Sequence, residues 1–244
     1  MIKFLRPRNQ ALHTLNLTQS VSRLISKPIQ FSKLTIIIGD NGSGKSQFIG
    51  LLCALLDPDM NYDDTVYDTG IRYSPFSYYR ELIDRNSFIV GRESNSTIIY
   101  HQGLNKKPNE LTERYFGSNG ENVLFELLAL TSDIRKYDTS LKSSVRQGDD
   151  VIKFKSNITK KFLGDELELN IISPAALICD EPELGLSPIR VKKLVKYIES
   201  WVSFGNQIIM TTNHPWLINN WSNNLNPLII DLDKFQNTKF SYEM

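Results

Sequence analysis

The sequence predicts an α/β fold: a mostly parallel sheet flanked by helices, with an antiparallel β portion and an inserted segment. Three observations predict it. Leu34–Ile38 is a short β-branched run that reads as a buried parallel strand, and a glycine-rich octet, Gly39-Asp-Asn-Gly-Ser-Gly-Lys-Ser46, follows it. The octet opens the apolar stretch Gln47–Leu56, which reads as a helix. Two further buried runs, Ala175–Cys179 and Gln207–Thr211, bracket a helix expected over Pro188–Trp201. Strands alternating with helices imply a parallel sheet covered on both faces. Ligands of such sheets bind outside the C-terminal ends of the strands.

The remaining elements follow in chain order. Residues 2–5 are expected as an edge strand and Val21–Ile25 as an amphipathic segment. The helix after the octet should stop at Asp57-Pro58. Asp57–Gly70 is acidic and turn-rich and reads as a solvated loop. Across residues 71–116 short aromatic and β-branched pieces alternate with polar breaks, and Ser96–Tyr100 is the clearest strand among them. Glu121–Leu130 reads as a helix. Residues 131–170 are polar and weakly patterned, with a hairpin at Val151–Phe154 and Glu166–Ile172, and read as an insertion. Pro188 suits the first turn of its helix, and Pro227–Asp231 is a fourth candidate strand. Repeats, low-complexity tracts and coiled-coil heptads are absent.

The 244 residues allow one large domain or two small ones, and a single domain over 1–244 with the insertion at 131–170 is expected. A hydrophobic content of 41% with 23% charged residues is that of a soluble globular protein. A net charge of +1 gives no global pull toward nucleic acid or anionic membrane. Cys53 and Cys179 lack metal-ligand spacing and read as small buried hydrophobes in a reducing compartment. No apolar run is long enough to span a bilayer, and the N-terminus lacks the apolar stretch of a signal peptide. A cytoplasmic protein is therefore expected.

The octet fits G-x-x-x-x-G-K-[ST], the phosphate-binding loop of P-loop nucleoside triphosphatases, in the strand–loop–helix context the motif needs. Gly39, Gly42 and Gly44 permit backbone conformations that side chains resist. The loop can then turn its amides inward as an anion nest at a helix N-terminus. ATP with Mg²⁺ is the expected cofactor, with Asn41, Ser43 and Gln47 completing the nucleotide-binding set. Lys45 would reach the β- and γ-phosphates, and Ser46 would ligate Mg²⁺. The second anchor is Leu177-Ile-Cys-Asp-Glu181, a buried strand ending in two carboxylates. Asp180 would hold Mg²⁺, and Glu181 would polarise the water that attacks the γ-phosphate.

Asp180-Glu-Pro-Glu-Leu-Gly-Leu-Ser-Pro188 resembles the Asp-Glu-Pro-Glu segment, ending in Leu-His-Pro, of the ABC-type ATPases, with Ser187 in the histidine's place. In pattern, with its Gly-Asp-Asn-Gly-Ser-Gly-Lys-Ser loop, the chain resembles the overcoming-lysogenization-defect and RecF-like branch, related more distantly to SMC ATPases. Phe116-Gly-Ser-Asn-Gly-Glu121 is similar to the family signature Ser-x-Gly-Glu; a polar turn capping the next helix is the plainer alternative. The resemblance implies that Ser118 and Gly120 contact the γ-phosphate of ATP held by a second subunit. The partner is then a second copy, in an ATP-dependent homodimer. Thr211-Thr-Asn-His-Pro215 stands where the family has Thr-His-Ser-Pro. The γ-phosphate sensor is then Asn213, or His214 if the loop shifts by one residue; His214 also suits a helix entry before Pro215. Gln102, after the strand at 96–100, is the candidate for the family glutamine that couples Mg²⁺ to the partner subunit, or else an exposed loop residue. Arg6 and Arg8 are candidates to reach the nucleotide, or plain surface charges.

Only about 70 residues separate Lys45 from Ser118, without heptads, so no SMC-like coiled coil is expected. The aromatic, strand-like residues 71–116 fit poorly with the helical docking subdomain of transporter ATPases. The chain ends about 30 residues after the Asn213 loop, leaving no room for the nuclease domain of overcoming-lysogenization-defect proteins. The resemblance thus implies a separate effector protein such as a nuclease, DNA as a further possible partner, no membrane partner, and a role in anti-phage defence or DNA maintenance. An ATP-sensing module with little turnover is the second reading, and a transporter ATPase subunit the third. The insertion holds eight Lys or Arg against seven Asp or Glu, a balance that favours a solvated loop or a protein partner over DNA.

Overall fold

Strands that are apolar at every position need cover on both faces, and the chain meets that need with helices on each side of one parallel sheet. The computed structural model describes residues 1–8, 17–56, 87–93, 97–102, 127, 174–221 and 225–235. In chain order the described elements are β1 (Ile2–Pro7), α1 (Gln19–Ile25), β2 (Ile29–Gln30), β3 (Leu34–Ile38), α2 (Lys45–Leu56), β4 (Phe88–Arg92), β5 (Thr97–Gln102) and β6 (Ala175–Asp180). Then come α3 (Pro188–Ser203), β7 (Gln207–Thr211), α4 (Pro215–Asn219), β8 (Leu228–Asp231) and a 3-10 turn at Asp233–Phe235.

The main sheet has five parallel strands in the order β5-β6-β7-β3-β8. β6 and β7 are buried along their whole length. The period-2 alternation of side chains sorts the strands into two faces. Leu34, Ile36, Leu177, Cys179, Ile208 and Met210 pack with the apolar face of α3. Ile37, Ala176, Ile178, Ile209 and Ile230 pack with α1 and α2. Trp201 of α3 is wholly buried, and its indole N–H donates to the Gln207 carbonyl at 3.1 Å. A buried tryptophan of this kind contributes roughly 3–5 kcal/mol relative to alanine.

Register fixes what meets at the working end. Gln102 pairs with Asp180, Asp180 with Thr211, Ile37 with Thr211, and Ile38 with Asp231. The polar ends of the strands therefore form one row, beside the loop that links β3 to α2.

A second sheet, in the order β2-β1-β4, is antiparallel. Gln207 joins it to the main sheet. Its side chain accepts from the Ile2 amide at 2.6 Å and donates to the carbonyls of Ile2 and Ser32 at 2.7 and 2.9 Å.

Among the described residues, the expected strands at 2–5, 34–38, 96–100, 175–179, 207–211 and 227–231 and the helical segments at 21–25, 47–56 and 188–201 occur within a few residues of their expected limits. α2 begins two residues earlier than its apolar pattern, at Lys45, because the helix opens inside the glycine loop. The strand expected at 96–100 runs to Gln102, since its pairing with β6 continues to Asp180. Within the helix expected at 121–130, Leu127 is described; it is helical and buried in the core. Arg6 lies within β1 rather than after it, and its guanidinium sits 5.6 Å from the Phe4 ring centroid, two residues away on the same strand face. Cys179 is buried and Cys53 half-buried; both are free thiols. The loop at 57–70, the signature at 116–121 and the insertion at 131–170 lie outside the described residues.

Candidate functional site

The site is built at the C-terminal ends of β3, β6 and β7. Gly39, Gly42 and Gly44 take φ values of +152°, +87° and +102°, the conformations that let the loop fold over its own amides. Gly44 is also required by contact. A Cβ there would meet the Thr18 hydroxyl and come within 2.6 Å of Val21 Cγ2. Thr18 caps α1 and braces the loop, its hydroxyl donating to Ser43 O at 2.8 Å and its amide to Gln47 Oε1 at 2.9 Å. On the far side, the Asp40 amide donates to Asp233 Oδ2 at 2.8 Å.

Lys45 is buried at the start of α2. Its ammonium donates to the carbonyls of Gly39 and Asp40 at 2.8 and 3.3 Å and stands 3.9 Å from Glu181 Oε1. Ser46 is exposed at the first turn. Ser43 Oγ is buried with no hydrogen-bond partner, an uncompensated polar atom inside the loop.

Asp180 ends β6 and is 3% exposed. Its Oδ1 accepts from the Thr211 hydroxyl at 2.6 Å, and the same hydroxyl accepts from the Glu181 amide at 3.0 Å. Glu181 takes φ +48°, the one positive value of a non-glycine among the described residues. Conformations of this kind cost free energy and cluster at functional sites. Here the turn swings the Glu181 carboxylate away from the strand axis, toward Lys45.

The loop after β7 reaches the same place. Asn213 Nδ2 donates to Asn41 Oδ1 of the glycine loop at 3.2 Å. His214 is turned elsewhere: its Nδ1 accepts from the Trp216 amide at 3.2 Å and caps α4. Anchoring on Pro215 therefore sets the register, with Asn213 at the glycine loop and His214 in the helix-entry role. Gln102 is the last residue of β5, inside the strand rather than after it, and pairs in register with Asp180. Ser118 and Gly120 lie outside the described residues.

Sequence reasoning missed four members. Thr211 bonds the Asp180 carboxylate and the Glu181 backbone amide at the β6 end. Glu183, 8% exposed, accepts from the Thr212 hydroxyl, while its other oxygen is buried without a partner. Thr18 and Asp233 brace the glycine loop from separate elements. The signals for Glu183 and Thr211 were their places in Asp180-Glu-Pro-Glu183 and Thr211-Thr-Asn-His-Pro215; Thr18 and Asp233 have none, because their partners in the glycine loop are distant in sequence. Burial pushes the Glu183 carboxyl above its ordinary range. The Thr212 hydroxyl and the Glu183 and Asn213 backbone amides oppose this shift, and the Glu181 charge adds to it.

The donor set fits a triphosphate with a hard cation. Backbone amides at a helix N-terminus and a buried ammonium suit phosphate oxygens. An exposed serine hydroxyl and a fixed aspartate suit Mg²⁺, which takes few protein ligands and shares the phosphates. Among the described residues no group of three or more His, Cys, Asp or Glu is placed to hold a metal ion.

Two curated relatives cover most of the chain. The phosphate import ATP-binding protein PstB 1 of Lactobacillus johnsonii is 26% identical over 208 residues, 80% of this chain and 71% of its own. The ABC-type transporter ATP-binding protein EcsA of Bacillus subtilis is 25% identical over 198 residues, 79% of this chain and 71% of its own. No family model matches. Among solved structures, a metal-chelate type ABC transporter in an inward-facing conformation aligns with 94% of this chain and 80% of its own, at a TM-score of 0.40 and 11% identity, too loose a likeness to bear on function. The similarity is thus to ABC-type ATP-binding proteins of transporters. The transporter reading, placed last from the sequence, moves ahead of the defence and DNA-maintenance readings, and the expectation of no membrane partner is withdrawn.

Proposed function

We propose that the protein is an ABC-type ATPase that binds ATP with Mg²⁺, dimerises around it, and uses hydrolysis to drive a separate partner. The observation that carries the reading is the meeting of three chain segments: Lys45 beside Glu181, and Asn213 against Asn41. Lys45 and the loop amides hold the phosphates. Ser46 and Asp180 hold the cation, with Gln102 as the candidate to join them. Glu181 polarises the attacking water, and Asn213 contacts the γ-phosphate. In the dimer, Ser118 and Gly120 of one copy complete the site of the other.

The partner favoured by the relatives is a membrane transporter, since both are named as transporter or import proteins. No helix among the described residues is long and apolar enough to cross a membrane. The motif resemblance supports a second reading, a soluble effector in defence or DNA maintenance. Asn213 in place of a sensor histidine favours slow turnover in either setting, because a carboxamide donates a hydrogen bond but cannot become a cation.

The test is phosphate release from ATP over a range of protein concentrations, with Lys45→Ala as the blank. Specific activity that rises with concentration supports composite sites. Release no greater than the blank at every concentration counts against a self-sufficient ATPase.

A further inference from the structure

A buried carboxyl is costly unless its bonds repay it, and Glu183 occupies a place that an apolar side chain of similar size would fill at lower cost. Its contacts show what it supplies. Oε1 accepts from the Thr212 hydroxyl, and that hydroxyl in turn accepts from the His214 amide at 3.0 Å. The two residues flanking Asn213 are thereby tied to one oxygen pair, with the Asn213 carboxamide directed at Asn41. Glu183 also belongs to the tight turn that carries Glu181. Leu184 N donates to Glu181 O at 3.1 Å and Leu186 N to Glu183 O at 2.9 Å. One end of this turn faces Lys45 and the other grips the loop after β7.

We propose that Glu183 is a positioning residue: through Thr212 it holds Asn213 against the phosphate loop, so that the γ-phosphate contact and the Glu181 carboxylate move as one unit. The proposal rests on the ATPase reading above. Glu183 touches neither phosphate nor water in this scheme; it acts through the backbone of residues 212–214.

The test pairs hydrogen exchange with steady-state kinetics in Glu183→Ala, Glu183→Gln and Thr212→Val. In Glu183→Ala and Thr212→Val, the amides of residues 212–214 and 216 are expected to exchange about tenfold faster, while those of 207–211 in β7 stay within about twofold. Misplacement of this size is expected to lower kcat about tenfold, with KM for ATP changed less than about threefold. Glu183→Gln, which keeps an acceptor for Thr212, is expected to restore both. In an Asn213→Ala background, Glu183→Ala is expected to cost no further kcat, because the two act as one unit. Unchanged exchange at 212–214 and 216, exchange raised equally across β7, or an additive kcat loss in the Asn213→Ala background would each overturn the proposal. A wild-type protein that releases no phosphate would count against the ATPase reading alone, and the exchange data would still decide the role of Glu183.

Discussion

The ammonium of Lys45 stands 3.9 Å from the carboxylate of Glu181, across a gap between two segments more than a hundred residues apart in the chain. Glu181 reaches it from a left-handed backbone conformation that the β6–β7 pairing enforces, since its amide bonds both the carbonyl and the hydroxyl of Thr211. The ammonium proposed to bind phosphate and the carboxylate proposed to polarise water are thus brought together by sheet register.

Lys45→Ala should weaken ATP binding by about 10- to 100-fold, the worth of one hydrogen-bonded charge in a polar site. Titration calorimetry with a slowly hydrolysed ATP analogue measures it. Equal affinity in the two proteins would place the phosphates elsewhere.

Thr211→Val keeps the shape of the side chain and removes the hydroxyl that orients Asp180 and Glu181. Asp180 Oδ1 then lies buried without its donor, a cost of about 1–3 kcal/mol. Chemical denaturation should show this loss, and kcat should fall with it. Thr211→Ser should recover most of both.

Gly44→Ala and Gly42→Ala separate strain from space. Both positions have positive φ, which costs a residue with a Cβ about 1–2 kcal/mol. At Gly42 nothing lies within 4 Å of where an added methyl would sit, so the cost should stop there. At Gly44 the methyl meets Thr18 and Val21 and must push α1 away. Gly44→Ala should therefore melt several degrees below Gly42→Ala and bind ATP more weakly.

Glu183 sets a pH dependence of stability. Its carboxyl in the folded protein is raised above its ordinary value near 4.5, so the folded state holds the proton more tightly than the unfolded state. Stability from this group is full below that value and is lost as pH rises through the raised one. The difference in unfolding free energy between wild type and Glu183→Gln should thus move in favour of the variant as pH rises from about 4.5 toward neutrality. A pH-independent difference would show that Glu183 is not perturbed in the folded state.

The glycine octet and the strands that end in Asp180 and Thr211 were legible because their signals are local: fixed spacing, unbroken apolar runs and a proline at a helix start. The helix-entry role of His214 was legible from Pro215, and its cap on Trp216 is local. The contact of Asn213 with Asn41 was not, because 172 residues separate the two. Thr18 was invisible for the same reason, since its partners Ser43 and Gln47 lie 25 and 29 residues away. At Arg6 the limit of the strand was misjudged: the strand expected to end at residue 5 runs on to Pro7, and the guanidinium lies over Phe4.

Whether ATP closes two copies of the chain around shared sites is decided by sedimentation of Glu181→Gln with ATP and Mg²⁺. Removing the carboxylate should slow hydrolysis by about 10²–10⁴-fold while leaving the phosphate contacts in place. A long-lived dimer is expected with ATP, absent without nucleotide and absent in the Glu181→Gln, Lys45→Ala double variant. A Glu181→Gln protein that stays monomeric at saturating ATP and Mg²⁺ would contradict the ATP-dependent dimer.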